Sequence, residues 1–334
     1  MITRSTALAA TMALAAAGAE TGAQAQDVTL RLATDSGAQG SPSGDAMDRW
    51  AALIEEGTGG AVEVDVFYQN ELGGQQEIFD LFVAGDVDIM LNWPTTAYSD
   101  RLSVLFAPYM VTSWEEALEA YSPEGWLYAM LGDIYDEMGL VFLGVWPEGF
   151  NGIASKGGYA MTVEEAGDMK IRVPPMFPLA EAVQALGYQT ATIDWGETFT
   201  AIQTGVVDGD GANIIYWDYE YFRDTLDYYN RTKQNFVTGI LSANAGSMEA
   251  LTEEQRRVVA DTAVTVMEEA FETARERDQG YVELAIESGM TYVEPTEEQL
   301  GALAQAVRED VWPLLEERVG PEIMDTIRAN ATQF

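Results

Sequence analysis

The stretch EIFDLFVAGDVD at residues 77–88 has a counterpart, ETFTAIQTGVVD, at residues 197–208. Both copies follow the pattern E-x-F-x5-G-x-V-D, and each predicts a helix, a closing glycine and then a short strand. Glycine followed by x-Val-Asp is a common helix–strand junction. The shared offsets and the similar surroundings nevertheless favour two similarly built α/β halves over a chance match.

Segments outside this repeat show the same alternation of strand and helix. Residues 30–33, 62–66 and 139–146 are typical of strands, and residues 45–56 are typical of an amphipathic helix. A chain of 334 residues is longer than one compact core usually holds. The sequence therefore predicts an α/β fold with two domains.

The C-terminal third is predicted to be helical. A capping box begins at Thr252, and the helical pattern continues to Ser288, which corresponds to ~54 Å at 1.5 Å per residue. A helix of that length exceeds one small domain, so we expect it to run across both. A second capping box at Thr296 begins another helix, which Pro313 is expected to kink or end.

The first 25 residues predict a secretory signal peptide. Arg4 supplies a basic start, residues 7–18 form an apolar stretch of small residues, and Ala23-Gln24-Ala25 is an A-x-A cleavage site. The apolar stretch is shorter than the roughly 20 residues that a membrane span needs. We therefore expect the mature chain to be exported and free in the periplasm.

The composition excludes several classes of function. With 17 basic and 55 acidic residues the net charge is −38, which argues against nucleic acid and anionic membranes as partners. The absence of cysteine and histidine excludes disulfides, thiol catalysis, Ser-His-Asp triads and His- or Cys-ligated metals. Nucleotide-binding, hydrolase and EF-hand motifs are also missing, so we expect neither a cofactor nor a metal. A weak Ca²⁺ or Na⁺ site of carboxylates and carbonyls stays open.

The ends of the predicted strands locate a candidate ligand site. Ligands of open α/β sheets bind beyond the carboxyl ends of the strands, which points to residues 92–94 and 210–217, with Asn92 and Asp210 among the polar candidates. Aromatic residues near these ends can stack on a ligand or hold an ammonium group. They are Trp93, Trp146, Phe150, Trp195, Tyr216 and Trp217. Core packing is the alternative for each of them.

Arg172 is the most informative charged residue because basic residues are scarce. It lies near the end of a predicted strand that Pro174 terminates. An arginine there can point into a cleft and bind a carboxylate with two hydrogen bonds. Pairing with one of the many acidic residues explains it equally well.

Several short motifs occur in a fixed order between residues 28 and 290. They are GTGG at 57–60, NELGG at 70–74, VD at 87–88, WPEGF at 146–150, MKIRVP at 169–174, WGE at 195–197 and QTGVVDG at 203–209. Each is weak alone. As an ordered set they resemble the DctP-type solute-binding subunit of tripartite ATP-independent periplasmic (TRAP) transporters.

This resemblance implies a two-lobed periplasmic binding protein fold, in which two α/β domains enclose a ligand cleft and a long helix bridges them. The corresponding division assigns residues 26–149 and 238–277 to the first lobe, and 150–237 and 278–334 to the second. The resemblance also implies a salt bridge from Arg172 to the ligand's carboxylate and no catalysis. It further implies a mostly monomeric protein that hands its small-molecule solute to the membrane subunits of a TRAP transporter.

Two positions depart from the family pattern. Asn151 stands where many members carry an arginine after Gly-Phe, and Ala212 stands where the usual ligand-binding asparagine falls, with Asn213 one step later. We therefore expect a doubly charged acid to bind less well, and a monocarboxylate, sugar acid or sulfonate is the default ligand. Asp35, just after the first strand, can meet a positive group. A zwitterionic or amine-bearing compatible solute is the alternative.

Two other functions stay open at this stage. A secreted hydrolase that uses only carboxylates needs two carboxyl groups facing each other across a sugar site. No spacing singles out such a pair among the many acidic residues. A binding component can also serve a sensor instead of a transporter, and the sequence does not separate these two roles.

Overall fold

Strands and helices alternate along the chain as the sequence predicts. The computed structural model describes residues 28–69, 71–94 and 96–334, so the predicted signal peptide lies outside the described residues. In chain order the strands are β1 (Val28–Ala33), β2 (Val62–Phe67), β3 (Ile89–Asn92), β4 (Leu140–Phe150), β5 (Ile153–Ser155), β6 (Lys170–Val173), β7 (Gln189–Thr192), β8 (Gly209–Asp210), β9 (Tyr228–Asn230), β10 (Phe236–Asn244) and β11 (Thr291–Val293). The helices are α1 (Pro42–Gly57), α2 (Gln75–Ala84), α3 (Trp114–Tyr121), α4 (Trp126–Glu137), α5 (Leu179–Ala185), α6 (Trp195–Thr204), α7 (Ile215–Phe222), α8 (Ala245–Glu249), α9 (Glu253–Glu287), α10 (Glu297–Val319) and α11 (Pro321–Asn330).

The strands form two sheets, each of which is the centre of one lobe. The first sheet has the order β2-β1-β3-β10-β4, and the second has the order β11-β9-β5-β8-β6-β7. In the first, β1 pairs in parallel with β2 and β3, whereas β10 is antiparallel to β3 and β4. In the second, β6 is parallel to β7 and β8. Each sheet thus contains a parallel unit whose strand ends are available for a ligand.

The internal repeat forms equivalent units in the two sheets. Helix α2 ends at Gly85 with φ of 82°, and α6 ends at Gly205 with φ of 74°, both in the left-handed region that glycine adopts at least cost. Strand β3 follows the first glycine and β8 follows the second, in different sheets. The prediction of two similarly built α/β halves is confirmed.

The long helix predicted from the capping box at Thr252 is present as α9. The Thr252 side chain accepts the backbone N–H of Gln255, and the helix continues for 35 residues. Its first half packs into the core of the first sheet through residues such as Val259 and Met267, and Val282 packs into a core of the second. The helix therefore bridges both lobes, which agrees with the two-lobed fold implied by the sequence motifs.

Helix α10 continues through Pro313 to Val319, so an end of the helix at this proline is ruled out, and the kink stays a prediction. Pro313 lies on the exposed side of the helix, so water can bond to the carbonyl that loses its N–H partner. Trp312 and Leu315, on either side of it, are buried in the core. Their packing stabilises the turn that the proline weakens.

Candidate functional site

A cavity of about 550 Å³ lies between the two lobes. Asp35, just after β1, and Trp93, just after β3, line it from the first lobe. Arg172 of β6 and Asn213, just after β8, line it from the second. The ends of parallel strands from both sheets thus converge on one space.

Most of the residues singled out from the sequence border this cavity. They are Asp35, Trp93, Asn151, Arg172, Trp195, Asn213 and Trp217. Asn92 and Asp210 do not, because Asn92 is buried within the first sheet and the Asp210 side chain turns to Arg172. The remaining aromatic candidates pack on other rings instead of the cavity: Trp146 on Trp93, Tyr216 on Tyr281, and Phe150 on Phe236. Phe150 borders a second cavity.

Arg172 is buried and held on two of its three nitrogens. Its Nη1 donates to Asp210 Oδ2 at 2.9 Å, and its Nε donates to the carbonyl of Ile193 at 2.8 Å. Its guanidinium lies 5.8 Å from the centre of the Trp195 ring. These contacts fix the guanidinium plane, and among the described residues no group accepts a hydrogen bond from Nη2. Arg172 therefore pairs with an acid and also borders the cavity, and its salt bridge to a ligand stays a prediction.

A buried network supports this arginine. Asp210 Oδ1 accepts the backbone N–H groups of Ala212 at 3.1 Å and Asn213 at 3.2 Å. The Asn213 amide donates to Asp218 Oδ1 at 3.0 Å. Burial and the nearby Asp210 raise the pKa of Asp218 well above its usual range.

Glu148 lines the cavity, although the sequence analysis did not single it out. Its side chain is 2% exposed, and it accepts the indole N–H of Trp217 at 2.8 Å on Oε1 and that of Trp93 at 2.9 Å on Oε2. Burial raises its pKa to about 7, against the lowering effects of these two hydrogen bonds and of the Arg277 charge. The available signal was a lone carboxylate near the end of the apolar strand β4.

Asp35 is a second buried carboxyl group at the cavity. Its Oδ1 accepts the backbone N–H of Trp93 at 3.3 Å, and the Gln75 side chain also hydrogen-bonds to it. Burial raises the pKa of Asp35 to about 7. The charge of Asp35 in turn raises the pKa of Glu148, so the two carboxyl groups interact electrostatically. Ionising both without a counter-charge is costly in this site.

Asn151 adds a polar group between the lobes. Its Oδ1 accepts the backbone N–H of Asn235 at 2.9 Å. Its Nδ2 is buried and has no hydrogen-bond partner among the described residues. Because Asn151 and Arg172 both border the cavity, the site offers donors without acceptors on one side and two carboxyl groups with raised pKa values elsewhere.

The two carboxyl groups predict a pH dependence of stability. Between their usual values of 3.8 and 4.5 and the folded-state pKa values of about 7, the folded chain holds protons that the unfolded chain releases. The unfolding free energy of the unliganded protein should therefore fall from pH 5 to pH 8, by on the order of 3 kcal/mol for each carboxyl. Denaturant titrations at each pH measure this. Glu148→Gln should flatten the dependence, and the exposed control Glu119→Gln should not; equal slopes in all three proteins would contradict it.

Comparison with known proteins places this geometry in a family. The family model DctP, described as bacterial extracellular solute-binding protein, family 7, matches residues 33–317. The chain belongs to this family. The resemblance to DctP-type subunits of TRAP transporters is confirmed, and the TRAP solute-binding proteins of this family are periplasmic.

Individual DctP relatives and structures agree with this assignment. The ectoine-binding periplasmic protein TeaA of Halomonas elongata is 25% identical over 299 residues, which are 86% of each chain. The structure of a TRAP periplasmic solute-binding protein from Ochrobactrum anthropi has its C-terminus bound in the ligand pocket; it is 21% identical, with a TM-score of 0.82 over 92% of this chain and 95% of that one. The structure of a TRAP periplasmic solute-binding protein from Roseobacter denitrificans, with bound β-D-glucuronate, is 19% identical. Its TM-score is 0.82, and the match covers 92% of this chain and 100% of that one.

Two further observations concern residues 28–334 without 70 and 95. Among these residues no group of three or more acidic side chains could hold a metal ion. Within the same described part of the DctP chain, no helix is both long and apolar enough to cross a membrane.

Proposed function

We propose that this protein is a periplasmic TRAP solute-binding protein that captures a small organic solute through a carboxylate or sulfonate group. The observation that carries the proposal is Arg172, which borders the cavity and whose Nε and Nη1 are fixed by protein acceptors, while Nη2 has no acceptor among the described residues. A guanidinium oriented in advance binds an anionic group without a further ordering cost.

Nearby donors complete a site for an anion. Asn151 Nδ2 is buried without a partner among the described residues, and Asn213 lines the same space. The Asn213 side-chain amide donates one N–H to Asp218, which leaves its second N–H for a ligand. Since leaving buried donors unpaired is costly, an anion that accepts from Arg172 and Asn151 stabilises the closed site.

Closure of the two lobes is the proposed means of capture. The chain crosses between the lobes near residue 150, between β9 and β10, along α9 and along α10, whose first half packs in a core of the second lobe and whose end packs, with α11, in the core of the first. We propose the lobe division 26–149 with 238–277 and 150–237 with 278–334, from which the end of α10 and α11 depart by packing on the first lobe. Few crossing segments are suited to a hinge motion that encloses a ligand and excludes water.

The finer parts of the function are proposals of the same kind. We propose a monomer that is exported by the signal peptide at residues 1–25, performs no catalysis, and delivers the solute to TRAP membrane subunits. A carboxylate-only hydrolase is the competing class, because Asp35 and Glu148 share one cavity. Recovery of the bound compound chemically unchanged distinguishes binding from turnover.

The test is a calorimetric titration of the chain that begins at residue 26. The probes are acetate, succinate, D-glucuronate, an alkyl sulfonate and a set of amino-acid and amidinium zwitterions. We expect one or more to bind at one site with a Kd below about 10 μM, or roughly −7 kcal/mol, and to be recovered unchanged by NMR. Release of a reaction product, or no binding by any probe, would contradict the proposed function.

A further inference from the structure

We infer that Glu148 receives a positively charged N–H group of the ligand, so that the captured solute is a small zwitterion with its anionic end on Arg172. This inference rests on the proposed function and adds the second half of the ligand. Glu148 thereby becomes the residue that sets specificity between zwitterions and plain acids.

The hydrogen bonds of Glu148 leave it able to bind a donor. Its two oxygens accept one indole N–H each, from Trp217 in α7 of the second lobe and from Trp93 beside β3 of the first. A carboxylate has about four acceptor positions, so two remain. The indole groups hold the carboxylate in place between the lobes, and both ring systems line the cavity. Aromatic rings beside a carboxylate favour a cation.

The charge balance of the cavity points the same way. Of the described side chains that line it, Arg172 alone is basic, and its charge is already balanced by Asp210. Asp35 and Glu148 are both buried there, without a basic hydrogen-bond partner among the described residues. A ligand with only anionic groups would leave these carboxyl groups uncompensated, and a dicarboxylate would bring a second anion beside them. An ammonium or amidinium group compensates them.

Arg277 is the nearest alternative source of positive charge, and it does not fill this role. Its guanidinium lies 4.8 Å from the ring centre of Trp146 and donates to the carbonyl of Pro147 at 3.1 Å. It lies outside the cavity lining and makes no hydrogen bond to Glu148. Its charge lowers the pKa of Glu148, but burial outweighs that effect and keeps the pKa at about 7.

The experiment compares carboxylates of matched ring size with and without a cationic ring nitrogen. L-proline is paired with cyclopentanecarboxylate, and L-pipecolate and ectoine, a cyclic amidinium carboxylate, are paired with cyclohexanecarboxylate. Succinate and D-glucuronate are included as acids without a cation. Affinities are measured by calorimetry on the chain from residue 26 at pH 7.5. We expect at least one zwitterion to bind roughly 30-fold or more tighter than its carbocyclic partner.

Variants identify the residue responsible. Glu148→Gln should reduce this preference roughly tenfold or more, Asp35→Asn should reduce it by a smaller factor, and the exposed control Glu119→Gln should leave it unchanged. The ratio of the two affinities within a ligand pair separates recognition from structural damage, because a damaged cavity weakens binding of both ligands alike. If Glu148→Gln does not fold, the decision passes to Asp35→Asn and to proton release by the wild type, which zwitterion binding at pH 6.5 should cause.

Each outcome decides the inference. Binding of acids with no preference for zwitterions would overturn it and leave the proposed function standing. A preference that survives intact in Glu148→Gln would also overturn it, as would zwitterion binding without proton release if only that measurement is available. Binding of no probe from either set would overturn both the inference and the proposed function.

Discussion

Replacing Arg172 with alanine should both destabilise the protein and remove its affinity for the carboxylate. The side chain is 2% exposed and its partner Asp210 is fully buried, so the variant leaves a buried carboxylate without its counter-ion. Breaking a buried pair from one side costs about 3–5 kcal/mol of folding free energy. Loss of the ligand's charged partner costs about 2–5 kcal/mol, or roughly 30- to 5,000-fold in affinity. Denaturant titration and calorimetry measure the two losses.

A double variant separates these two effects of Arg172. Asp210 Oδ1 accepts two backbone N–H groups, which an asparagine oxygen can also accept. Arg172→Met with Asp210→Asn removes both charges, so stability should recover in large part while affinity stays lost. The exposed Arg223→Ala is the control for removal of an arginine from the same lobe. Affinity that persists in Arg172→Ala would contradict the assignment of the anion site.

The Asp278→Ala variant should lose about 3–5 kcal/mol of folding free energy. Arg231 Nη2 donates to both oxygens of Asp278, at 2.8 and 2.7 Å, and both side chains are buried. The same nitrogen also donates to the carbonyl of Phe150 at 3.4 Å. This pair therefore joins α9 to two of the crossings between the sheets. Its loss leaves Arg231 buried and charged without a counter-ion.

The chain provides a matched control for Asp278 on the same helix. Glu269 also accepts two hydrogen bonds from one arginine, Arg49, at 3.0 and 2.7 Å. Both of those side chains are about half exposed, at 48% and 45%. Glu269→Ala should therefore cost less than about 1 kcal/mol. Equal losses of unfolding free energy for Asp278→Ala and Glu269→Ala would show that burial does not determine the strength of these pairs.

The fold was predictable from the sequence because its signals are local. The repeat at 77–88 and 197–208 contains its own helix, closing glycine and strand, and the helix that begins after Thr252 carries its own capping box and apolar face. That α10 does not end at Pro313 was not predictable, because the effect of a proline depends on which side of the helix faces water and on the packing of its neighbours. Neither of these is visible in local sequence.

The site was predictable only in part, because it depends on side-chain direction across two lobes. Arg172 could be placed at a strand end, but its partner Asp210 lies on a neighbouring strand that sequence spacing does not reveal. Glu148 was hidden among many acidic residues, since only the folded chain brings Trp93 and Trp217 to its two oxygens. Trp146 could not be distinguished from a cavity residue because core packing and ligand stacking use the same aromatic residues.

A crystal structure of the chain from residue 26 with the tightest ligand of the calorimetric panel decides whether this cavity captures a solute through Arg172. The account predicts a closed cavity, an anionic oxygen about 2.7–3.0 Å from Arg172 Nη2, and a ligand N–H group on Glu148. A ligand in this cavity whose anionic group points away from Arg172, or a ligand bound elsewhere on the protein, would contradict it.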